Sequence, residues 1–115
     1  MANNKLQSVM QFRGGMNELM RQAARMQRKI DRAKNDLKDR ELTTEALGGK
    51  VKVVVTLGRS LKRIEIDPEV LKTEETDLVL DGVCAAVNQA IELADKEMEA
   101  ELEKVTGGVK IPGLV

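Results

Sequence analysis

The run GGKVKVVVTLGRSLKRIEI, residues 48–66, is the part of the sequence from which the architecture follows. Its first half is rich in valine, which favours extended strands. Alternation places four apolar side chains on one face of that strand: Val51, Val53, Val55 and Leu57. Gly58-Arg59-Ser60 supplies a turn, and residues 61–66 return as a second strand whose Ile64 and Ile66 point to the core. The run therefore predicts an antiparallel β-hairpin.

The residues on either side of the hairpin extend this plan. Residues 42–47 can form a further strand, joined to the hairpin by a turn at Gly48-Gly49. After the hairpin, Asp67 can cap a short helical turn that has Pro68 at its first position. We therefore expect a three-stranded antiparallel meander followed by a helical turn.

Long helices are predicted on both sides of the sheet. After a chain break at Gly14-Gly15, apolar residues recur at spacings of three and four over residues 16–39, which is a helix of about 36 Å. A second long helix follows the sheet, with Thr73 as its N-cap and Gly107-Gly108 as its end. The expected fold class is α+β, with a long N-terminal helix, a three-stranded antiparallel meander and a long C-terminal helix.

These elements predict a single domain over residues 1–115, with residues 1–13 as a flexible lead and residues 109–115 as a flexible tail. A compact domain of this length has a radius of gyration of about 13 Å, so the helices must project from the sheet. Three strands make a thin core whose apolar faces need cover from a second copy, and we expect a twofold homodimer. Packing of the helices against each other within one chain explains part of the regular spacing of the apolar residues.

The net charge is zero, but the charges are unevenly distributed. Residues 1–63 carry 15 Lys/Arg and 6 Asp/Glu, a net charge of +9, whereas residues 64–115 carry 4 and 13, a net charge of −9. Four arginines on the first helix are spaced by four, three and four residues and so form one stripe, which Lys29 flanks: Arg21, Arg25, Arg28 and Arg32. The hairpin adds a second group of cations: Lys50, Lys52, Arg59, Lys62 and Arg63.

Two interpretations of this asymmetry are open. Arginine fits phosphate through its planar fork, and a row of arginines on a rigid helix can follow a nucleic-acid backbone without reading bases. Alternatively, the stripe is a solvated face, or it pairs with an acidic stripe on the second helix: Glu92, Asp95, Glu99 and Glu103. The residues alone favour the second interpretation, because charged helix faces are common.

The composition argues against other functions. The chain has no His and one Cys, so a zinc site lacks ligands and an intrachain disulfide lacks a partner. Cys84 lies in an apolar helical segment and is expected to pack as a small hydrophobic residue. Without a phosphate-binding glycine loop or a nucleophile–base pair, we expect no enzyme activity, cofactor, metal or small-molecule substrate. The absence of a long apolar run predicts a cytoplasmic protein without membrane association.

Three segments of the chain resemble the YbaB/EbfC family of bacterial nucleoid-associated proteins: residues 15–27, 48–71 and 106–114. The middle segment is the most specific, with Gly48-Gly49 before the valine-rich strand and Ile66-Asp67-Pro68 after the hairpin. The resemblance implies a small antiparallel sheet with long projecting helices, a tweezer-like homodimer, binding of double-stranded DNA and a place in the nucleoid. Residues 1–13 depart from the short Gly-rich start that is common in the family.

We therefore expect a largely sequence-tolerant double-stranded DNA-binding protein that influences nucleoid organisation and gene expression. The residues expected to contact DNA are Arg21, Arg25, Arg28, Lys29, Arg32, Lys50, Lys52, Lys62 and Arg63. The alternative is a helical adaptor or holdase-like protein that grips a protein client. The neutral net charge favours this alternative, because DNA binders are usually basic overall. Four methionines would give such a protein an adaptable apolar surface: Met10, Met16, Met20 and Met26.

Overall fold

The computed structural model of the chain describes residues 13–108 and shows an elongated α+β molecule. Its elements are, in order, α1 (Arg13–Leu37), β1 (Glu41–Ala46), a 3₁₀ turn (Leu47–Gly49), β2 (Val51–Thr56), β3 (Leu61–Ile66), α2 (Pro68–Thr73) and α3 (Thr76–Thr106). The molecule measures 76 × 29 × 16 Å and has a radius of gyration of 22.5 Å, well above the value for a compact domain. The predicted fold class is confirmed, including the projecting helices. Within the described residues, no helix is long and apolar enough to cross a bilayer.

The sheet is an antiparallel meander with the strand order β1-β2-β3. Leu61 faces Val55 and Arg63 faces Val54, so the register shifts at this point and leaves Lys62 as the extra residue of a bulge. In the turn of the hairpin, the Thr56 N–H donates to the Ser60 carbonyl at 2.8 Å. The hairpin predicted from residues 48–66 is therefore confirmed.

The core lies where α3 crosses β1 and β2. Ala86, Ala90 and Ala94 of α3 are buried against Val53 and Val55 of β2. Small side chains let the helix axis approach the sheet closely, and larger ones at these positions would force the two layers apart. The Thr44 hydroxyl of β1 adds a buried hydrogen bond of 2.7 Å to the Ala86 carbonyl oxygen. Contacts with two strands thus fix the position of α3 on the sheet.

α1 is held by its second half. α1 packs against α3, and Ile30 of α1 and Leu102 of α3 are buried. At the end of α1, the Gly58 N–H of the hairpin turn donates to the Lys38 carbonyl at 3.0 Å, and the Leu57 N–H donates to the Arg40 carbonyl at 2.9 Å. A Cβ on Gly58 would lie 2.9 Å from the Lys38 carbonyl oxygen, so only glycine fits without displacement. These contacts connect the base of α1 to the sheet.

Three expectations from the sequence were wrong. Gly14 and Gly15 do not break the chain but lie inside α1, because a glycine weakens a helix by only about 1 kcal/mol. Thr73 does not cap α3: its hydroxyl donates to the Glu69 carbonyl at 2.8 Å within α2, and Glu75 is the N-cap of α3. Cys84 is exposed, because it lies two residues from the buried Ala86 and therefore on another side of α3.

The remaining boundaries agree closely with the sequence. The Asp67 carboxylate accepts a hydrogen bond of 3.0 Å from the Glu69 N–H, as expected of the cap of α2. Gly107 ends α3 in the left-handed conformation with φ of 65°. Ile64 lies on the core side of the sheet, as predicted, but is 41% exposed because α3 covers β1 and β2. Arg13, the last residue of the predicted lead over residues 1–13, is the first residue of α1; residues 1–12 and the tail over residues 109–115 lie outside the described residues.

Replacing Ala90 by Leu should destabilise the protein by about 1–3 kcal/mol, because the extra methyl groups have no space between α3 and β2. Chemical denaturation measures the effect. The matched control is Ala100→Leu on an exposed position of α3, which should change the free energy of unfolding by less than about 0.5 kcal/mol. Equal stability of the two variants would show that α3 does not approach the sheet as described.

Candidate nucleic-acid interface

The first half of α1 is an arm that stands free of the rest of the molecule. Every side chain of residues 16–25 is exposed, whereas burial on α1 begins at Met26 and Gln27 and is complete at Ile30. Ten residues of helix correspond to about 15 Å. This length of helix is therefore accessible from all sides.

The structure brings the predicted arginine stripe together on the outer side of α1. The stripe is made of Arg21, Arg25, Arg28 and Arg32, all of which are exposed. It lies opposite the side of α1 that contains the buried Ile30, and Lys29 is exposed beside it. The stripe extends over eleven residue steps, about 17 Å along the helix axis, and turns away from the sheet and α3.

Part of the stripe surrounds a shallow depression of about 290 Å³. Its walls are Arg21, Arg25 and Arg28, and its fourth lining residue is Ala24. The small side chain of Ala24 leaves room between the three guanidinium groups. Planar guanidinium forks arranged around an open space suit an anion with several oxygens, such as phosphate.

Glu18 is an acidic residue that contacts this group. Its Oε1 lies 2.9 Å from Arg25 Nη2, and its Oε2 lies 3.5 Å from Arg21 Nη1. The side chains of Arg21 and Arg25 are nevertheless 72% and 55% exposed. The two arginines are thus held near one another without being covered.

Two of the predicted hairpin cations lie among carboxylates. Lys52 stands opposite Glu45 on one neighbouring strand and opposite Glu65 on the other. Arg63 forms salt bridges with Glu41 at 3.2 Å and with Glu65 at 3.6 Å. The outer face of the sheet therefore has mixed charge, in contrast to the stripe of α1.

Lys50 and Lys62 are the other two hairpin residues predicted to contact DNA. Lys50 lies at the end of β2 away from the junction with α1, about 20 Å along the strand. It borders a hollow of about 360 Å³ that contains Lys52 but also Glu65 and Asp67. Lys62 is exposed at the bulge of the hairpin. The structure thus brings the helix cations together and leaves the hairpin cations dispersed.

Several acidic side chains of α3 pair with basic residues that do not belong to the stripe. Asp95 contacts Arg59 at 3.6 Å, and Glu92 contacts Lys96 at 3.4 Å. Arg40, next to the base of α1, contacts Glu97 and Glu101 at 3.4 Å and 3.3 Å. Of the acidic residues that could have paired with the arginine stripe, Glu92 thus contacts Lys96 instead, and Asp95 contacts Arg59.

Glu101 has two basic partners at this junction. Lys104 donates a hydrogen bond of 3.1 Å to it, and Arg40 donates another of 3.3 Å. These hydrogen bonds, that of Lys104 first, hold the pKa of the Glu101 carboxyl below its ordinary value in spite of partial desolvation. The charged form of Glu101 is thus favoured where α3 passes the base of α1.

Reasoning from the sequence missed two residues of this surface. Ala24 lies three residues after Arg21 and four before Arg28, and Glu18 lies three before Arg21 and seven before Arg25. Both spacings place the residue on the same side of a helix as the stripe. A search for every residue on that face, rather than for basic residues alone, would have found them.

Comparisons of the sequence with known proteins give matches over most of its length. The sequence model of the YbaB/EbfC DNA-binding family matches residues 12–109. A protein of Acetivibrio thermocellus named nucleoid-associated protein is 41% identical, over 90% of this chain and 92% of its own length. Proteins of the same name from Ruminiclostridium cellulolyticum and Pelotomaculum thermopropionicum are 36% and 38% identical, over 90% and 88% of this chain and 90% and 96% of their own.

Proposed function

The chain belongs to the YbaB/EbfC DNA-binding family, and from this premise we propose that it binds double-stranded DNA in the nucleoid through the arginine stripe of α1. The observation that carries the proposal is the depression that Arg21, Arg25 and Arg28 form on a freely accessible helix. Relatives named nucleoid-associated proteins support the cellular context. The function is binding rather than catalysis.

Contacts to the DNA backbone fit the stripe best. A row of guanidinium groups on one side of a helix can contact successive phosphates, which are the same for every sequence. Arg32 and Lys29 extend the row from the depression towards the base of α1. Binding of this kind tolerates different DNA sequences, because no base edge is read.

The hairpin cations form a second, weaker patch in this proposal. Lys52 and Arg63 already face carboxylates, so a phosphate gains less from them than from the stripe. Lys50 and Lys62 are exposed and can add contacts where the DNA passes the sheet.

We also propose that the protein is a homodimer. Large apolar side chains of β3, α2 and the first part of α3 are exposed, by 41% to 62%: Leu61, Ile64, Leu71, Leu78 and Leu80. Ile64 belongs to the core side of the sheet, next to Val53, and a second copy would cover it. A twofold dimer carries two arms, and two linked arms bind DNA more tightly than one.

A client-binding adaptor is the alternative. Met16, Leu19 and Met20 are 51%, 54% and 66% exposed on the arm and offer an apolar surface to a protein. The family and the arginine stripe favour DNA. Recovery of nucleic acid with the purified protein, lost on nuclease treatment, distinguishes DNA binding from a stable protein partner.

Replacing Arg25 and Arg28 by Glu should weaken DNA binding roughly 100-fold or more, because two charge-assisted contacts are lost and replaced by repulsion. If each of the four stripe arginines neutralises one phosphate, log K falls with log[salt] at a slope of about −3.6 for each protomer, and the variant should lose about half of this slope. Fluorescence anisotropy of a labelled duplex over a salt series measures both quantities.

Lys72→Glu/Lys96→Glu is the matched control, since it makes the same change in net charge at exposed positions of α2 and α3. We expect it to retain most of the affinity. Lys62→Glu/Arg63→Glu tests the second patch and should have an intermediate effect. The stripe is not the DNA site if the Arg25/Arg28 variant binds as well as its control.

Replacing Ile64 by Asp should convert the dimer into a monomer, because a carboxylate cannot be buried in the apolar interface. Light scattering after gel filtration should give twice the chain mass of 12.7 kDa for the wild type and one chain mass for the variant. Met20→Asp, an equally drastic change on the arm, should stay dimeric. A wild-type protein of one chain mass would refute the dimer.

A further inference from the structure

Glu18 contacts two of the arginines to which the proposed function assigns phosphate binding. Each of its two carboxylate oxygens contacts a different arginine: Oε1 lies 2.9 Å from Arg25 Nη2, and Oε2 lies 3.5 Å from Arg21 Nη1. Both arginines also line the depression beside Ala24. A single side chain therefore engages two of the three guanidinium groups that surround this depression.

The chemistry of these contacts is that of an arginine–phosphate pair. Guanidinium groups bind carboxylates and phosphates through the same planar arrangement of N–H donors and two anionic oxygens. A phosphate that binds Arg21 and Arg25 therefore competes with Glu18 for the Nη groups that the carboxylate contacts. The side chain of Glu18 is 48% exposed and is free to move aside when this happens.

We propose that Glu18 is an internal competitor of the DNA phosphate and sets the strength of binding at the stripe. This inference rests on the proposed function of the stripe. Glu18 keeps Arg21 and Arg25 near each other in the free protein, and its carboxylate swings into solvent when a phosphate arrives. The displaced charge weakens the complex and speeds its dissociation, so that the arm releases DNA readily.

The expected effect is moderate, because salt bridges between exposed side chains are weak. Glu18→Gln removes the charge and keeps the shape of the side chain. Its affinity for a duplex should rise about threefold to tenfold, mainly through slower dissociation. The matched control is Glu69→Gln, which makes the same substitution at an exposed carboxylate of α2 that forms a salt bridge with Lys72, outside the stripe. Its affinity should stay close to that of the wild type.

A double-mutant cycle makes the test specific. The gain from Glu18→Gln should disappear in a chain that also carries Arg21→Gln/Arg25→Gln, because the arginines that Glu18 contacts are absent. Circular dichroism melting of each variant confirms that all are folded. Equal affinities of the wild type and Glu18→Gln would overturn the inference, and so would a gain that persists without the two arginines.

The cycle also separates this inference from the proposed function. If Arg21→Gln/Arg25→Gln alone binds DNA like the wild type, the stripe is not the site and both proposals fail. If that variant binds weakly but Glu18→Gln gives no gain, only the role of Glu18 is refuted. Weaker binding by Glu18→Gln would mean that the carboxylate arranges the arginines for DNA instead of competing with it.

Discussion

The contact of α3 with β2 is the interaction on which the rest of the molecule depends. Ala86, Ala90 and Ala94 allow the helix to lie close above Val53 and Val55, and their burial excludes water from a core of only two layers. α3 is 31 residues long and continues beyond the sheet. Its last turns, with the buried Leu102, form the surface on which the second half of α1 packs. Without this first contact, nothing would support the arm.

The length and charge of α1 follow from this arrangement. Residues 16–25 of α1 are exposed on all sides, and burial against the rest of the molecule follows from Met26 onwards. Arginines can be concentrated on such a helix because they remain hydrated there. Acidic residues of α3 pair with Arg40, Arg59, Lys96 and Lys104. The +9 and −9 halves of the chain thus build one fold, in which the side chains of the stripe are exposed.

The sequence was sufficient for those parts of the structure that local chemistry determines. The β-hairpin, the Asp67 cap and the Gly107 end depend on neighbouring residues and were predicted correctly. The prediction failed for Cys84, because its exposure depends on which side of α3 is covered. It also failed for Gly14-Gly15, because the start of α1 depends on how far the helix continues. For the site, the spacing of the arginines predicted the stripe. The sequence did not predict the carboxylates around Lys52 and Arg63 or the contacts of Glu18, because these depend on strand register and on side-chain positions.

The central claim is that the outer side of α1 is the surface that meets the DNA backbone. Nuclear magnetic resonance of the arginine side-chain Nε–Hε groups during titration with a short duplex tests this claim most directly, since each guanidinium is observed separately. We expect the signals of Arg21, Arg25, Arg28 and Arg32 to shift together, whereas that of Arg40, beside Glu97 and Glu101, should stay in place. Shifts confined to Arg40, Arg59 and Arg63, with the four stripe signals unchanged, would contradict it.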